Sequence, residues 1–504
     1  MHLQLDGRGP LHAQLTRALK GAMFAGRVGH GARLPPTRLL ARDLGVSRNT
    51  VLAAYEQLRA EGFLDGRVGS GSYVTPPLQS LRQVNAQPTW IEPQSAYARR
   101  LRTIHDHGKV PGARSPMARY AFQYGAPLTN PALSTAWARE LSHAAAYARP
   151  GYPMTQGVPA LREAVCDYLG RRRGIQTKPA DVLIVNGTQQ ALSLTSRILF
   201  DEGAEVAIEE PQYFAAREVL QANGVQLCPI PVDDNGLVTD ALPARTPKLI
   251  CVTPSHQFPS GAVMSLSRRL SLLDYAQRRG SWIFEDDYDG EFRYGSKPIA
   301  ALRSLDEHDR VIYVGSFSKA LFPALRLGYL IMPAPLRNDF IVAKWMEDFG
   351  SPAIEQAALA NFIQDGGFER HLRRSAKTLE ERRSALLEGL RACSKGRLAI
   401  ADSRAGMHIV VWLTGRSRAE GEALIAHADG HGLGLHPISP YYLAPPDRAG
   451  LLMGFASLSV LEIEEAVQVF ARCLDEMFPV SAKPRPPRRA RQQAMPAVAR
   501  GSRG

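Results

Sequence analysis

The 504-residue chain is predicted to be an α/β protein with a mainly parallel sheet, preceded by a winged helix-turn-helix. From 119 to 480, short apolar runs alternate with amphipathic stretches, which is the pattern of buried parallel strands joined by helices. These runs are Val182–Val185, Glu205–Ile208, Leu249–Val252, Trp282–Phe284 and Val311–Val314. Before residue 76, two amphipathic helical patterns precede a glycine-rich hairpin pattern, which is typical of a winged helix-turn-helix.

Composition and charge divide the chain into four parts. The helix-turn-helix is expected to occupy 1–75, a proline-rich linker 76–118, the α/β domain 119–480 and a basic tail 481–504. Of the net charge of +13, the four parts carry +5, +4, −3 and +7 in chain order. This distribution indicates a polyanionic partner for the ends and a small-molecule ligand for the domain. The tail is interpreted either as a disordered, solubilising end or as an arm that binds DNA.

The sequence also limits where the protein is expected to work. No apolar run approaches the roughly 18 residues needed to span a bilayer, and the N-terminus lacks the charged-then-apolar order of a secretion signal. The five cysteines are scattered, without the spacing of a metal site. These observations predict a protein of the reducing cytoplasm that has no membrane partner.

The segment 37–58 has the pattern of two helices joined by a tight turn. Thr37 is expected to cap the first helix, Gly45 to supply the turn, and Ser47 to cap the second helix. In the second helix an apolar stripe would face the core, formed by Val51, Tyr55 and Leu58. At its exposed N-terminal end lie side chains that can hydrogen-bond to base edges, namely Arg48, Asn49 and Thr50.

The glycine-rich hairpin at 62–74 is interpreted as the wing. Its Arg67 and the backbone near Gly69 and Gly71 would approach phosphates or the minor groove. A small helical oligomerisation domain is the alternative interpretation of residues 1–75.

The N-terminal part resembles the winged-helix domain of GntR-type regulators over its whole length. The resemblance rests on Arg33–Arg38, Leu44–Val51 and Ala60–Leu64. It implies double-stranded operator DNA as a partner. The DNA contacts that it implies, each to a base or to a phosphate, are Arg38, Arg48, Asn49 and Thr50.

Lys319 follows an apolar run in the sequence Ser316-Phe317-Ser318-Lys319, and Arg326 comes shortly after it. This arrangement suits a Schiff base between the lysine and an aldehyde cofactor, because hydroxyls and a guanidinium can hold the phosphate of such a cofactor. The alternative is an ordinary strand exit with a solvated lysine.

Three further segments of the domain fit the same chemistry. Asn186–Gln190 opens a helix after an apolar run, as an anion cradle would. Tyr213 could stack on a flat ring, or could be an ordinary loop tyrosine. A carboxylate of the acidic segment 285–287 could hold the proton of a pyridine nitrogen, and Tyr288 could donate to a ring phenolate. The alternative for the acidic segment is a divalent metal, although no histidine lies nearby in the sequence.

The order of these segments resembles fold-type I aminotransferases, which use pyridoxal 5'-phosphate. The likeness runs from about Phe122 to Phe478 and includes Phe122–Pro127 and Tyr152–Gly157. Together with the GntR-like module and the linker, the chain resembles the MocR subfamily of bacterial regulators.

This resemblance implies a role for individual residues. Lys319 would bind the cofactor covalently, Asp286 would face the pyridine nitrogen, Tyr288 the ring oxygen and Tyr213 the ring face. The implied phosphate contacts are Thr188, Gln189, Ser316, Ser318 and Arg326. Tyr152 matches a tyrosine that reaches the phosphate of a neighbouring subunit, which implies a homodimer.

Two positions depart from the aminotransferase pattern. Phe258 stands where aminotransferases have an asparagine that bonds to the ring oxygen, and phenylalanine cannot donate. Ser457 stands where they have an arginine that grips the substrate carboxylate, a charged hydrogen bond worth roughly 1.5–3 kcal/mol. The effector is therefore expected to be the cofactor itself, an amine without that carboxylate, or an acid gripped by another arginine.

The sequence thus predicts a transcriptional regulator. It would bind operator DNA, hold pyridoxal 5'-phosphate on Lys319, and sense an amine, an amino-acid-like compound or a B6 compound. A working aminotransferase with a DNA-binding appendage is an alternative that Phe258 and Ser457 disfavour. A scaffold without cofactor is a second alternative, which the presence of Lys319, Asp286 and Arg326 disfavours. Sustained turnover is not expected, and an aminotransferase-type half-reaction is left open.

Overall fold

The computed structural model describes residues 3–67, 71–75, 95–104, 118–126, 128, 131–148, 151–295, 299–402 and 404–479. The predictions made for Gly69, for most of the linker and for the basic tail lie outside these residues, as does the side chain of Arg67. The chain divides into two compact units, Met1–Glu92 and Pro93–Gly504.

The N-terminal unit is a small helical domain with an antiparallel hairpin. Its described elements are α1 Leu11–Phe24, α2 Thr37–Leu44, α3 Arg48–Ala60, β1 Leu64–Arg67 and β2 Gly71–Val74. The predicted stripe of α3 is buried, with Val51 and Leu58 inaccessible and Tyr55 only 2% exposed. The Tyr55 hydroxyl donates to the Pro35 carbonyl at 2.9 Å, which holds the chain before α2 against α3.

The turn between α2 and α3 is built as predicted, whereas the start of α2 is not. Gly45 adopts a left-handed φ of +65°, and Ser47 accepts a hydrogen bond from the Thr50 amide at 3.1 Å. The prediction of Thr37 as the N-cap was wrong by one residue, because α2 begins at Thr37 and Pro36 is its N-cap. The proline ring already restricts the backbone before the first turn, so the helix starts without a side-chain cap.

The second unit is a large α/β domain. Its described helices are α4 Ala96–Ile104, α5 Pro131–Ala146, α6 Pro159–Arg173, α7 Thr188–Leu199, α8 Phe214–Ala222, α9 Leu266–Arg279, α10 Phe317–Ala320, α11 Arg337–Asp348, α12 Ala353–Gln364, α13 Gly367–Ser394, α14 Arg418–Gly430 and α15 Val460–Met477. Its described strands are β3 Tyr120–Ala121, β4 Val182–Val185, β5 Glu205–Glu210, β6 Gln226–Asp233, β7 Gly236–Leu237, β8 Leu249–Val252, β9 Trp282–Asp287, β10 Val311–Ser316, β11 Gly328–Ile331, β12 Leu398–Ala401, β13 His408–Leu413, β14 Leu433–Gly434 and β15 Gly450–Gly454.

The central sheet of the described part has eight strands in the order β4-β11-β10-β9-β8-β5-β6-β7. Neighbouring strands from β10 to β6 are parallel, while β11 runs antiparallel to both of its neighbours and β7 to β6. The mainly parallel sheet of the prediction is therefore confirmed. A smaller antiparallel sheet, β12-β13-β15, and the parallel pair β14-β3 lie outside it. Among the described helices, none combines the length and the apolar surface needed to cross a bilayer.

The apolar runs become the most buried strands of the sheet. Val182–Val185 in β4 and Val311–Val314 in β10 have no appreciable exposure, because helices cover both faces of the sheet. Parallel strands bring their carboxyl ends to one edge, so the polar residues that follow β4, β5, β9 and β10 meet there.

A helix lies within the range that the sequence analysis assigned to the linker. In α4, the Arg100 guanidinium donates to the Ala222 carbonyl at 2.9 Å and to the Glu202 carboxylate at 2.8 Å. Ala222 is the last residue of α8, whose final carbonyls lack helical partners and attract a cation. Arg100 thus ties α4 to the carboxyl end of α8.

Replacing Arg100 with alanine is expected to loosen α4 from the large unit. Both hydrogen bonds would be lost, so amide hydrogen exchange across Ala96–Ile104 should accelerate about tenfold. Arg102 is exposed on the same helix, and Arg102→Ala is the control that should leave the exchange unchanged. Equal exchange in both variants and the wild type would contradict the role given to Arg100.

Candidate functional site

A cavity of about 250 Å³ opens at the carboxyl edge of the central sheet in the large unit. Nine of the ten predicted cofactor residues line it, namely Thr188, Gln189, Tyr213, Asp286, Tyr288, Ser316, Ser318, Lys319 and Arg326. Their predicted roles toward a cofactor remain predictions. The tenth residue, Tyr152, is 92% exposed and does not reach the cavity of its own chain.

Lys319 enters the cavity from α10, directly after β10. The Ser316 hydroxyl caps this short helix by accepting from the Ser318 amide at 3.1 Å. The Lys319 Nζ donates to the Gly125 carbonyl at 3.2 Å. Burial lowers the pKa of Lys319, while Asp289 and Asp286 act in the opposite direction. A lowered pKa leaves more of the neutral amine, the form that can attack a carbonyl group.

The three successive carboxylates at the end of β9 are separated by the alternation of the strand. Asp286 faces the cavity, where it accepts a hydrogen bond from the Thr188 hydroxyl at 3.3 Å. Glu285 accepts from two backbone amides at 2.8 and 2.7 Å, and Asp287 pairs with the buried Arg173 at 2.6 Å. The shared metal site considered from the sequence would need these side chains to converge, and they point to opposite faces.

Asp286 lies at the end of the cavity where a cation would be stabilised. Burial raises the pKa of this carboxyl group to about 7, whereas the hydrogen bond from Thr188 acts to lower the pKa. A protonated pyridine nitrogen beside Asp286 would favour the ionised carboxylate and would itself be held in the protonated form.

A second part of the cavity lining, at the start of α7 and beside Arg326, has the composition of an anion site. Gly187 precedes the first turn of α7 with a φ of +87°, and a Cβ atom there would lie 3.2 Å from the Arg326 guanidinium. That guanidinium donates to the Asn186 carbonyl at 2.6 Å. The free amides of a helix start, the hydroxyls and an arginine are the groups that bind phosphate.

Aromatic side chains form one wall of the cavity. Phe258 is 2% exposed and stacks on Tyr124 with ring centroids 4.4 Å apart, and Tyr213 meets Phe258 edge to face at 5.9 Å. The Lys319 Nζ lies 5.1 Å from the Tyr124 ring centroid. Phe258 therefore forms part of the packing around the cavity, and it contributes no hydrogen bond from its side chain.

Tyr124 and Gly125 were missed as site residues by the sequence analysis. They lie inside the segment Phe122–Pro127, which carried the resemblance but no assigned role. Gly125 is 194 residues from Lys319 in sequence, and a Cβ atom at Gly125 would lie 3.0 Å from the Lys319 Nζ. Gly125 could have indicated the site from the sequence, because a glycine within a motif often marks a place where the backbone closely approaches another group.

Four of the six predicted DNA-contacting residues lie at the starts of α2 and α3 in the N-terminal unit, and Arg67 ends β1. Arg38, Arg48 and Asn49 are exposed. Thr50 is half-buried, and its hydroxyl lies 2.8 Å from that of Ser47, so part of its bonding capacity serves the helix cap. Arg48 and Asn49 are long, polar side chains at the N-terminal end of α3, and the corresponding second helix enters the major groove in helix-turn-helix proteins.

The residues of the cavity fit pyridoxal 5'-phosphate. A lysine with a lowered pKa, a carboxylate for a pyridine nitrogen, an aromatic wall and an anion site line one cavity. A divalent metal would instead need several carboxylate or histidine ligands around one point, and the described lining has Asp286 as its one carboxylate.

Comparison with known proteins identifies both units. Residues 11–74 match the model of bacterial regulatory proteins of the gntR family, and residues 122–470 match that of aminotransferase class I and II. The probable rhizopine catabolism regulatory protein MocR of Rhizobium meliloti is 37% identical over 92% of this chain and 94% of its own. The pyridoxine biosynthesis transcriptional regulator PdxR of Corynebacterium glutamicum is 31% identical over 88% and 91%.

Solved structures give the same fold for the large unit. The α-aminoadipate aminotransferase LysN of Thermus thermophilus, complexed with N-(5'-phosphopyridoxyl)-L-leucine, has a TM-score of 0.65 and 26% identity, over 76% of this chain and 95% of its own. The predicted fold class and family are confirmed. The chain belongs to the MocR type of GntR-family transcriptional regulators, in which a helix-turn-helix domain is joined to an aminotransferase class I and II domain.

Proposed function

We propose that this regulator binds pyridoxal 5'-phosphate covalently through Lys319 and reports the presence of a small amine or B6 compound to operator DNA. The observation that supports this most strongly is the convergence of Lys319, Asp286 and Arg326 on one enclosed cavity. The relatives are named as regulators, and the LysN structure of the same fold carries a phosphopyridoxyl ligand.

Each end of the cavity would hold one part of the cofactor. The start of α7, Ser316, Ser318 and Arg326 would bind the phosphate through amides, hydroxyls and a guanidinium. Asp286 would hold the proton of the ring nitrogen, Tyr288 would donate to the ring oxygen, and Tyr213 would pack on the ring face. The bound cofactor supplies an aldehyde that reacts reversibly with primary amines.

Sensing would follow from competition at that aldehyde. A primary amine that enters the cavity would compete with the Lys319 amine for this aldehyde, and the free Lys319 Nζ would be held near the Gly125 carbonyl and the Tyr124 ring, where it lies in this structure. Because the two states have different contacts around Lys319, an effector can shift the balance between two arrangements of the protein. The regulated genes would respond through operator affinity.

The effector class follows from the cations around the cavity. Among the described residues that line it, Arg326 is the one guanidinium, and it stands at the phosphate end beside Gly187. Ser457, at the position of the carboxylate-binding arginine, is half-buried and has no positive charge. We therefore favour an amine without an α-carboxylate, or a B6 compound, over an ordinary α-amino acid.

The protein would act as a homodimer. Tyr152 is 92% exposed in the single chain, and its ring lies 6.1 Å from that of Phe349, which is 53% exposed. Met154, Trp345 and Met346 are also more than half exposed, and the Trp345 ring lies 5.0 Å from that of Phe349, so exposed apolar side chains from two separate segments lie around this tyrosine. Exposed apolar residues of this size commonly mark a protein interface, and a second copy would let Tyr152 contribute to the cavity of its partner.

The test combines a spectrum with a DNA-binding measurement. Protein reconstituted with pyridoxal 5'-phosphate is titrated with a panel of amines and B6 vitamers, and its affinity for a duplex selected from a random library is measured in parallel. We expect at least one compound to change the visible band and the DNA affinity with the same midpoint concentration. Sustained keto-acid release from amino donors would favour the aminotransferase alternative. A protein that never acquires a visible band would contradict the proposal.

A further inference from the structure

A buried polar cluster lies against the wall of the cavity beside Tyr288. The Tyr288 hydroxyl is 3.0 Å from the His256 Nδ1, and the same nitrogen is 2.8 Å from the Asp289 Oδ2. The His256 and Asp289 side chains are 1% and 2% exposed. The rings of His256 and Tyr288 are close to parallel, with centroids 6.1 Å apart. The cluster is thus a connected network that reaches the cavity through Tyr288.

Three separate segments build this cluster. His256 lies in the turn after β8, Tyr288 and Asp289 follow β9, and Gly406 closes the cluster just before β13. Gly406 has a φ of +71°, and a Cβ atom there would lie 2.1 Å from His256 Cε1 and 2.5 Å from Asp289 Oδ2. The backbone therefore packs directly on the histidine, which leaves the ring little freedom to turn.

The network keeps the phenol of Tyr288 in its neutral form. Burial raises the pKa of Tyr288 well above its usual value, and the charge of Asp289 and a hydrogen bond to it act in the same direction. A neutral phenol can donate a hydrogen bond, whereas a phenolate cannot. Phe258, whose ring meets that of Tyr288 edge to face at 5.9 Å, offers no donor from its side chain.

We propose that His256 is a positioning residue which, held by Asp289, orients the Tyr288 hydroxyl toward the phenolate oxygen of the cofactor. The Nδ1–H of His256 donates to the Asp289 carboxylate and leaves the Tyr288 oxygen as its second acceptor. The Tyr288 hydroxyl, which also reaches Asp289, would then turn its proton from that carboxylate to the cofactor oxygen when the cofactor is bound. This inference rests on the proposed binding of pyridoxal 5'-phosphate. Because Phe258 replaces the asparagine that would bond to the ring oxygen, Tyr288 is the side chain left to donate to that oxygen, and His256 would support it.

A metal site is the competing interpretation of the same cluster. Ligand atoms of His256, Asp289 and His408 all lie within 4.8 Å of one another. However, His256 Nδ1 is already engaged by Asp289 and Tyr288, and His408 Nε2 lies 3.1 Å from the Pro259 carbonyl oxygen. A metal would therefore have to be held through the remaining ring nitrogens of the two histidines and Asp289, whereas the network needs only the hydrogen bonds that are observed.

Several charged or titratable groups face the cluster from the elements around it. They are Asp286, Lys319 and Tyr124 in the cavity lining, His408 on β13, and Arg293 and Tyr294, which follow Asp289 in the sequence. A test that uses pH must therefore separate the effect of His256 from the effects of these groups. A cycle of single and double variants makes that separation.

The experiment measures two quantities on reconstituted full-length protein. The first is the Kd of pyridoxal 5'-phosphate, and the second is the pH at which its visible band is half converted. We expect His256→Leu to weaken binding about tenfold and to move that midpoint by about one pH unit, since one unit and tenfold are the same free energy. His256→Asn, which keeps a donor near the Nδ1 position, should restore most of both. His436→Leu, at another buried histidine, is the matched control and should change neither.

The double variant distinguishes positioning from general packing. If His256 acts through Tyr288, adding His256→Leu to Tyr288→Phe should change neither quantity further, whereas independent structural effects would add. Asp289→Asn preserves size and should move both quantities in the same direction, which provides a test even if His256→Leu fails to fold. Additive effects, a His256→Asn variant no better than His256→Leu, or stoichiometric bound zinc in the purified protein would each overturn the proposal. A wild-type protein that does not bind the cofactor at all would instead overturn the proposed function.

Discussion

Replacing Lys319 with alanine is expected to remove the visible absorption band of the reconstituted protein completely. Hydride reduction of the wild type should attach a pyridoxyl group to Lys319, and the same treatment of the variant should attach none. The reason is that Lys319 brings the one primary amine of the described lining into the cavity, with a pKa lowered by burial. Absorption spectroscopy and peptide mass spectrometry after reduction measure both results.

A surface lysine provides the control for this experiment. Lys395, about half exposed and paired with Asp475, can be changed to alanine without touching the cavity, and Lys395→Ala should keep the full band and the full label. Without cofactor, both variants should unfold at about the same temperature as the wild type, because Lys395 is half exposed and loss of the Lys319 amine also removes its desolvation cost. Label on a different lysine, or a band that persists in Lys319→Ala, would show that the cofactor assignment is wrong.

The second large effect is expected at the start of α3. Changing Arg48 to alanine should weaken binding to a selected duplex by roughly ten- to a hundredfold, as expected when a contact worth about 1–3 kcal/mol is lost. If Arg48 contacts a base, discrimination at that base pair should relax; if it contacts a phosphate, the dependence of binding on salt should fall by about one unit of slope. Binding isotherms at several salt concentrations distinguish the two.

Two comparisons make this result interpretable. Arg27 is exposed in the turn after α1, and Arg27→Ala removes the same charge from the same unit outside α2 and α3. That variant should bind DNA nearly as well as the wild type. The visible spectrum of Arg48→Ala should equal that of the wild type, because Arg48 belongs to the N-terminal unit. Unchanged DNA affinity in Arg48→Ala would show that the recognition helix has been placed wrongly.

Much of the candidate site could be predicted from the sequence because its residues sit at marked places along the chain. Thr188, Asp286 and Lys319 each follow a short apolar run. The carboxyl ends of parallel strands meet at one edge of the sheet, whatever the conformation of the connecting loops. The Ser47 cap and the buried stripe of α3 were predictable for a similar reason, since they depend on contacts within one helix or its first turn.

Contacts between distant segments could not be predicted in this way. The sequence analysis found no histidine near the acidic segment 285–287, yet His256 lies against Asp289 because the turn after β8 and the end of β9 are neighbours in the sheet. Likewise Arg173 neutralises Asp287 from the end of α6, which accounts for a carboxylate that appeared costly in isolation.

The order and spacing of local signals determined the fold class, the family and most of the cavity lining. The tertiary structure alone decided that Arg173 pairs with Asp287, that Tyr124 and Gly125 close on Lys319, and that α4 docks on α8 through Arg100. The physical reason is that periodicity and capping act over a few residues, whereas burial and ion pairing depend on which segments the complete sheet brings together.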